Sequence, residues 1–81
     1  MEIKVLGPGC RNCEKLEADA KQAVKEAGAD CAVTKVTDMA EIMHYGVLST
    51  PGLVINGKAK SYGRLPSVKE IRTWIEEENK K

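Results

Sequence analysis

The sequence predicts an α/β fold in which a four-stranded mixed sheet is flanked by three helices, in the order strand, helix, strand, helix, strand, strand, helix. Short β-branched or alternating segments are separated by stretches in which apolar residues recur every three or four positions. An Asn-Gly pair joins two of the short segments, which is the strongest short-range signal for an antiparallel hairpin. Two strands connected by a helix pair in parallel, so the predicted sheet is mixed.

The first half of the chain supplies two strands and a long helix. Charged and apolar residues alternate over 2–6, which predicts the first strand, and Gly7-Pro8-Gly9 ends it. A helical pattern begins at Arg11 and closes at Gly28, a typical residue after a helix C-terminus. The β-branched segment Cys31 to Val36 predicts the second strand. The apolar stripe of the helix, which we expect to pack on the sheet, consists of Leu16, Ala20, Ala23, Val24 and Ala27.

Two capping boxes mark the remaining helices. Asp38 with Glu41 opens a short helix that runs through Tyr45 and closes at Gly46, and Ser67 with Glu70 opens the last one. Between these helices, 53–55 and 58–62 form the hairpin around Asn56-Gly57. In the last helix, Val68, Ile71, Trp74 and Ile75 share one face, and we expect that face to be core.

Other side chains are assigned ordinary structural roles. We expect Met39, Ile42 and Met43 to form the buried face of the short helix, which would turn His44 toward solvent. Cys31 is expected to fill the core or a sheet edge. Tyr62 is a candidate contact at the rim of a site, on position alone. The terminal run 76–81 is expected to be solvated and frayed.

Composition limits the possible functions. The chain has 81 residues, enough for a single domain over 1–81, which we expect to be monomeric. Thirteen basic and twelve acidic residues give a net charge of +1, so nothing indicates binding to nucleic acid or to a membrane surface. Aromatic residues are only 4% of the chain, which disfavours base stacking. The sequence shows neither an export signal nor a membrane span, so a cytoplasmic location is expected.

Two closely spaced cysteines are the candidate reactive residues. Cys10 and Cys13 form a Cys-x-x-Cys pair between a Gly-rich turn and the start of the long helix. Unpaired N–H groups and the positive end of the helix dipole stabilise a thiolate there, and Arg11 adds a cation. We therefore expect Cys10 to be the exposed attacking thiol and Cys13 the recessed resolving thiol. A pair of inert buried cysteines, or half of a metal site, is the alternative.

The chain resembles the thioredoxin and glutaredoxin superfamily, in particular its small single-domain redox proteins of archaea and bacteria. Gly9-Cys10-Arg11-Asn12-Cys13 occupies the place of the active-site motif, and 45–51, which ends in Thr50-Pro51, is similar to the segment leading into the family's cis-proline. The resemblance implies a thioredoxin-like fold, a redox-active disulfide between Cys10 and Cys13, and a cis Pro51 facing them. Gly9, Arg11, Asn12 and Thr50 are then expected to border the substrate.

The resemblance also implies an enzyme, a thiol–disulfide oxidoreductase, and we expect no cofactor. The missing Met and the single His predict that the reduced protein carries no stoichiometric metal. Its partners would be protein or small-molecule disulfides and an electron-donating reductase or low-molecular-weight thiol. Two departures stand out: Lys4 occupies the place of the buried acid of larger thioredoxins, and 61–64 does not reproduce the glutathione-binding pattern of glutaredoxins. A copper or zinc carrier using the same two cysteines is the alternative, although such domains have a Met where Pro8 stands.

Overall fold

The computed structural model describes residues 1–7, 9, 11–47 and 49–79. The strands are β1 (Glu2–Leu6), β2 (Ala32–Val36), β3 (Gly52–Ile55) and β4 (Lys58–Tyr62). The helices are α1 (Arg11–Ala27), α2 (Met39–His44) and α3 (Val68–Asn79). The predicted element order is confirmed, with β2 beginning at Ala32 and not at Cys31.

The sheet has the strand order β2-β1-β3-β4. β1 pairs in parallel with β2 and antiparallel with β3, and β3 pairs antiparallel with β4. The mixed sheet predicted from the connections is therefore confirmed. Since β1 and β2 run in parallel, the C-terminal end of β1 and the N-terminal end of β2 lie at opposite ends of the sheet.

Local signals account for several boundaries. Asn56 and Gly57 both have positive φ, 53° and 79°, as a tight hairpin turn of the favoured type requires. The capping box of α3 is complete: Glu70 N–H donates to Ser67 Oγ at 3.1 Å, and Ser67 N–H donates to Glu70 Oε1 at 3.3 Å. At α2, Asp38 caps the helix through Ala40 N–H, at 2.9 Å.

Two apolar clusters pack on the two faces of the sheet. The larger joins the sheet to α1 and α3, and the smaller lies under α2. The members of the larger cluster are Ile3, Val5, Leu16, Ala20, Ala23, Leu53, Ile55, Ile71 and Ile75. The members of the smaller are Leu6, Val36, Ile42, Val47 and Val54. Within the part of the chain that the structure describes, no helix is both long and apolar enough to cross a membrane.

The structure corrects the prediction for α2. Met39 and Met43 are 53% and 64% exposed, whereas Ile42 is buried. Tyr45, just past the helix, packs with Ile42 on the smaller cluster. The buried side of α2 therefore lies between Ile42 and Tyr45, and both methionines lie off it. His44 is exposed, as predicted.

The structure also corrects the prediction for the last residues of α3. Glu78 is buried, and its carboxylate lies 3.5 Å from Lys58 Nζ and 3.1 Å from Lys60 Nζ on β4. It follows Ile71 and Ile75 at seven- and three-residue spacing, so it continues the buried face of the helix. The end of α3 is thus held on the sheet through an ion pair.

Candidate active site

The site begins at Gly7, where β1 ends. Gly7 is buried, and its N–H donates to the carbonyl of Val36 at 2.9 Å, which fixes the chain at the sheet edge. A Cβ added to Gly7 would overlap Cys13 Sγ and would lie 3.9 Å from Thr50 Cβ. No side chain can therefore stand between Cys13 and Thr50, and glycine allows the two to approach the same point.

Cys13 is placed by α1. It is the third residue of the helix and is fully buried, together with Leu16 on the same face. Arg11 and Asn12, which precede it, are exposed. The N–H groups of this first turn have no partner within the helix, so they and the helix dipole favour negative charge at this position. Glu14 is also in the first turn and is exposed.

The segment Thr50-Pro51 lies between α2 and β3. The peptide bond joining these residues is cis, Pro51 is buried and Thr50 is half-buried. The carbonyl of Pro51 accepts a hydrogen bond from Gly63 N–H at 3.1 Å, so the segment is tied to the chain just past β4. Gly63 has φ of 73°, and a Cβ there would lie 3.1 Å from Ser49 Cβ. The segments before β3 and after β4 thus fit closely together.

Lys4 is half-buried on β1 and is protonated, so it cannot accept a proton. Its ammonium donates to the Tyr45 hydroxyl at 2.9 Å and lies 3.4 Å from a Glu2 carboxylate oxygen. The hydrogen bond to Tyr45 is the main cause that raises the pKa of Lys4 above its ordinary value, and Glu2 adds to it. Lys4 is therefore a fixed positive charge. It cannot serve as the proton acceptor that the resemblance would place at this position.

Cys31 lies away from this site. It precedes β2 and therefore lies at the end of the sheet opposite to the C-terminal end of β1. It is a free thiol, half-buried against the larger apolar cluster, and burial raises its pKa. This half-buried position against the larger cluster agrees with the expectation that Cys31 fills the core or a sheet edge.

The structure brings part of the predicted site together. Cys13 and Thr50 both border the space beside Gly7, while Arg11 and Asn12 lie exposed at the start of α1. Gly9 is exposed with φ of 96°. Cys10, the predicted nucleophile, lies outside the described residues, as does Pro8. The roles assigned to these residues stay predictions.

Sequence reasoning missed the role of Gly7. In the sequence, the turn Gly7-Pro8-Gly9 at the end of a strand is by itself sufficient reason for a glycine. The contact with Cys13 joins residues from two elements, so no local pattern reveals it. Its weak signal was the position of a glycine at the end of a buried strand and just before the Cys-x-x-Cys helix.

Metal ligands are a separate question for this site. Among the described residues, no three or more His, Cys, Asp or Glu side chains are grouped so as to hold a metal ion. His44 is exposed, and its ring meets that of Tyr45 edge-on with centroids 6.2 Å apart.

Comparison with known proteins gives consistent results over nearly the whole chain. The family model described as "Thioredoxin domain" matches residues 1–76. A thioredoxin of Methanothermobacter thermautotrophicus is 42% identical over 72 residues, which cover 89% of this chain and 94% of the relative. A thioredoxin of Methanocaldococcus jannaschii is 39% identical over 70 residues, covering 86% of this chain and 80% of the relative.

A solved structure supports the fold independently. Thioredoxin 1 from the thermophilic eubacterium Thermosipho africanus superposes with a TM-score of 0.66, covering 99% of this chain and 96% of that one. The two sequences are only 19% identical, so this likeness speaks for the fold alone. The predicted fold class is confirmed.

Proposed function

The chain belongs to the thioredoxin family of thiol–disulfide oxidoreductases, and from that premise we propose that Cys10 and Cys13 form its dithiol–disulfide couple. The observation that carries the proposal is the position of Cys13. It is buried in the first turn of α1, with its Sγ against Gly7, and Thr50 borders the same space beside Gly7. A fully buried sulfur is poorly placed to attack a large substrate, which leaves that role to Cys10.

The reaction proceeds by two exchange steps. The Cys10 thiolate attacks one sulfur of the substrate disulfide, a mixed disulfide forms, and the other substrate sulfur leaves as a thiolate. Cys13 then attacks Cys10 Sγ, closes the Cys10–Cys13 disulfide and releases the second substrate thiol. Two electrons pass from the protein to the substrate. A reductase or a low-molecular-weight thiol then reduces the protein disulfide.

The surroundings supply the electrostatics of the first step. The N–H groups and dipole of α1 stabilise a thiolate at its start, and Arg11 contributes a cation close in sequence to Cys10. The segment Thr50-Pro51 offers backbone groups beside Cys13, to which an extended substrate can bind. The protein acts as a monomer in the cytoplasm, where thiols are kept reduced.

Alkylation and trapping test the assignment of the two cysteines. In the reduced protein, Cys10 should alkylate before Cys13, with a thiol pKa below the usual value of about 8.5. Cys13→Ser should attack a disulfide once and remain bound to it, as a mass increase by one substrate half reveals. Cys31→Ser is the matched control and should turn over normally. A Cys10→Ser variant that still reduces insulin would contradict the proposal.

Metal analysis distinguishes the alternative in which the same cysteines carry a soft metal. Purified under reducing conditions, the protein should contain no stoichiometric copper or zinc. One metal ion per chain that Cys10→Ser releases would favour the carrier over the oxidoreductase.

A further inference from the structure

Gly7 is a glycine whose backbone conformation does not call for glycine. Five other described glycines have positive φ, from 64° to 96°, whereas Gly7 does not. The reason for glycine at this position must therefore lie in its surroundings. A Cβ there would overlap Cys13 Sγ and would lie 3.0 Å from Cys13 Cβ. The missing side chain makes room for the sulfur of Cys13.

The backbone of Gly7 cannot withdraw from that sulfur. Its N–H donates to the carbonyl of Val36, at the end of β2, at 2.9 Å. The preceding residue, Leu6, is fully buried and is paired on both sides, with Val36 of β2 and with Gly52 of β3. A shift of Gly7 would break a hydrogen bond at the end of a central, buried strand, which is costly.

Cys13 is held equally firmly from the side of the helix. It is the third residue of α1 and is fully buried. The same helix continues with Leu16, Ala20 and Ala23, which are also fully buried, in the larger apolar cluster. Protein interiors leave few voids, so α1 cannot shift at Cys13 without disturbing that stripe. The sulfur is thus confined between its own helix and the backbone of Gly7.

We propose that Gly7 is a positioning residue, which holds the Cys13 sulfur where it can attack the mixed disulfide on Cys10 and so sets the rate of that second step. This inference rests on the proposed function. In the step, the Cys13 thiolate attacks Cys10 Sγ, the Cys10–Cys13 bond forms, and the bond between Cys10 and the substrate sulfur breaks. The two cysteines are oxidised to a disulfide, and the substrate sulfur is reduced to a thiolate, which takes a proton from water. Since the attacking and leaving sulfurs must be aligned, a small displacement of Cys13 Sγ slows the step.

A chromogenic disulfide times the two exchange steps separately. Reduced protein carrying Cys31→Ser is mixed with one equivalent of dithiobis-nitrobenzoate, and the release of the coloured thiolate is followed by stopped flow. The first thiolate reports the attack by Cys10, at a rate that depends on concentration. The second reports the attack by Cys13, at a rate that does not. Gly7→Ala should slow the second phase about 10- to 100-fold and leave the first within about twofold.

A variant that destabilises the fold elsewhere is the matched control. Glu78→Ala removes a buried carboxylate whose partner Lys58 pairs with Ile55, which in turn pairs with Ile3 near the start of β1. This ion pair therefore lies toward the other end of the sheet from Gly7. At a temperature at which all variants are folded, Glu78→Ala should leave both phases unchanged, because lost stability by itself does not move the Cys13 sulfur.

A measurement on the wild-type chain does not depend on whether Gly7→Ala folds. A Cβ in place of one α-proton of Gly7 would lie 3.0 Å from Cys13 Cβ, so the α-protons of Gly7 and the β-protons of Cys13 are close. The nuclear Overhauser effect between them should be equally strong in the oxidised and the reduced protein, because Gly7 holds the sulfur in both states.

The outcomes separate this inference from the proposed function. Equal slowing of both phases in Gly7→Ala, an unchanged second phase, or the same slowing in Glu78→Ala would overturn the role of Gly7. Loss of the Overhauser effect on reduction would overturn it as well. A wild-type protein that releases only the first thiolate would instead contradict the couple of Cys10 and Cys13, and with it the proposed function.

Discussion

Replacing Gly7 with Ala should destabilise the protein and do so through Cys13. The new Cβ would overlap Cys13 Sγ and would lie 3.0 Å from Cys13 Cβ, while Thr50 Cβ is 3.9 Å away. Because Gly7 does not have positive φ, the backbone can accept Ala, and the cost arises from this contact alone. Overpacking in a buried site costs about 1–3 kcal/mol, because α1 or the end of β1 must move. In a domain of this size each kcal/mol lowers Tm by about 4–8 °C.

A double-mutant cycle measured under reducing conditions tests that explanation. Cys13→Ala removes Sγ, so Gly7→Ala should cost at least about 1 kcal/mol less in that background than in the wild type. Urea unfolding followed by the fluorescence of Trp74 gives the four free energies. Gly52→Ala is the control: its Cβ would meet Val47 Cγ1 at 3.2 Å, a methyl group that can move, so the cost should be smaller. Equal costs of Gly7→Ala in both backgrounds would refute the contact as the cause.

Two further predictions concern charged side chains of α3. Glu78→Ala should lower the free energy of unfolding by about 1–3 kcal/mol, since it removes a buried carboxylate that lies in ion-pair distance of Lys58 and Lys60. Glu77→Ala, on the exposed side, should have no measurable effect, and equal effects of the two substitutions in urea unfolding would contradict the buried ion pair. Hydrogen bonding to Arg64 lowers the pKa of Glu70 below its ordinary value of 4.5. The ionised Glu70 should therefore stabilise the fold fully above pH 4.5, and this stabilisation should be lost as the pH falls through the lowered pKa. Carbon-13 NMR of the carboxyl group should show this low midpoint, and Arg64→Met should return it toward 4.5, whereas an unchanged midpoint would exclude Arg64 as the main cause.

Local patterns in the sequence were enough to determine the elements and their order. Turn and cap chemistry acts within a few residues, so Asn56-Gly57 and the pair Ser67 and Glu70 could be recognised without any tertiary information. The connection through α1 then required a parallel pair, and the hairpin an antiparallel one. The mixed sheet follows from those two facts.

The side of α2 that is buried was decided by tertiary packing. Three apolar side chains on a six-residue helix suggested one buried face, yet only Ile42 is covered and Met39 and Met43 face solvent. A helix this short has too few turns for its periodicity to define a direction. Tyr45, just past the helix, packs against the same smaller cluster as Ile42, so these two residues mark the buried side.

The burial of Glu78 shows the same limit for charge patterns. A run of glutamates at a chain end ordinarily indicates a solvated face, and this explains the wrong prediction. The position of Glu78 on the stripe of Ile71 and Ile75 indicated burial, but the energetic cost of burying a carboxylate argued against it. Lys58 and Lys60, which offset that cost, come from β4, and only the packing of α3 on the sheet brings them near.

In the candidate active site, too, some features follow from local sequence and others only from tertiary packing. The spacing of Cys10 and Cys13 and the glycine-rich turn before them are local features, so the sequence alone predicts a cysteine pair where a helix begins. The approach of Cys13 and Thr50 to the space beside Gly7, and the place of Tyr62 at the end of the sheet where β1 ends, depend on the tertiary fold. These residues belong to different strands and helices. Their proximity depends on sheet register and helix packing, which a pattern of neighbouring residues does not encode.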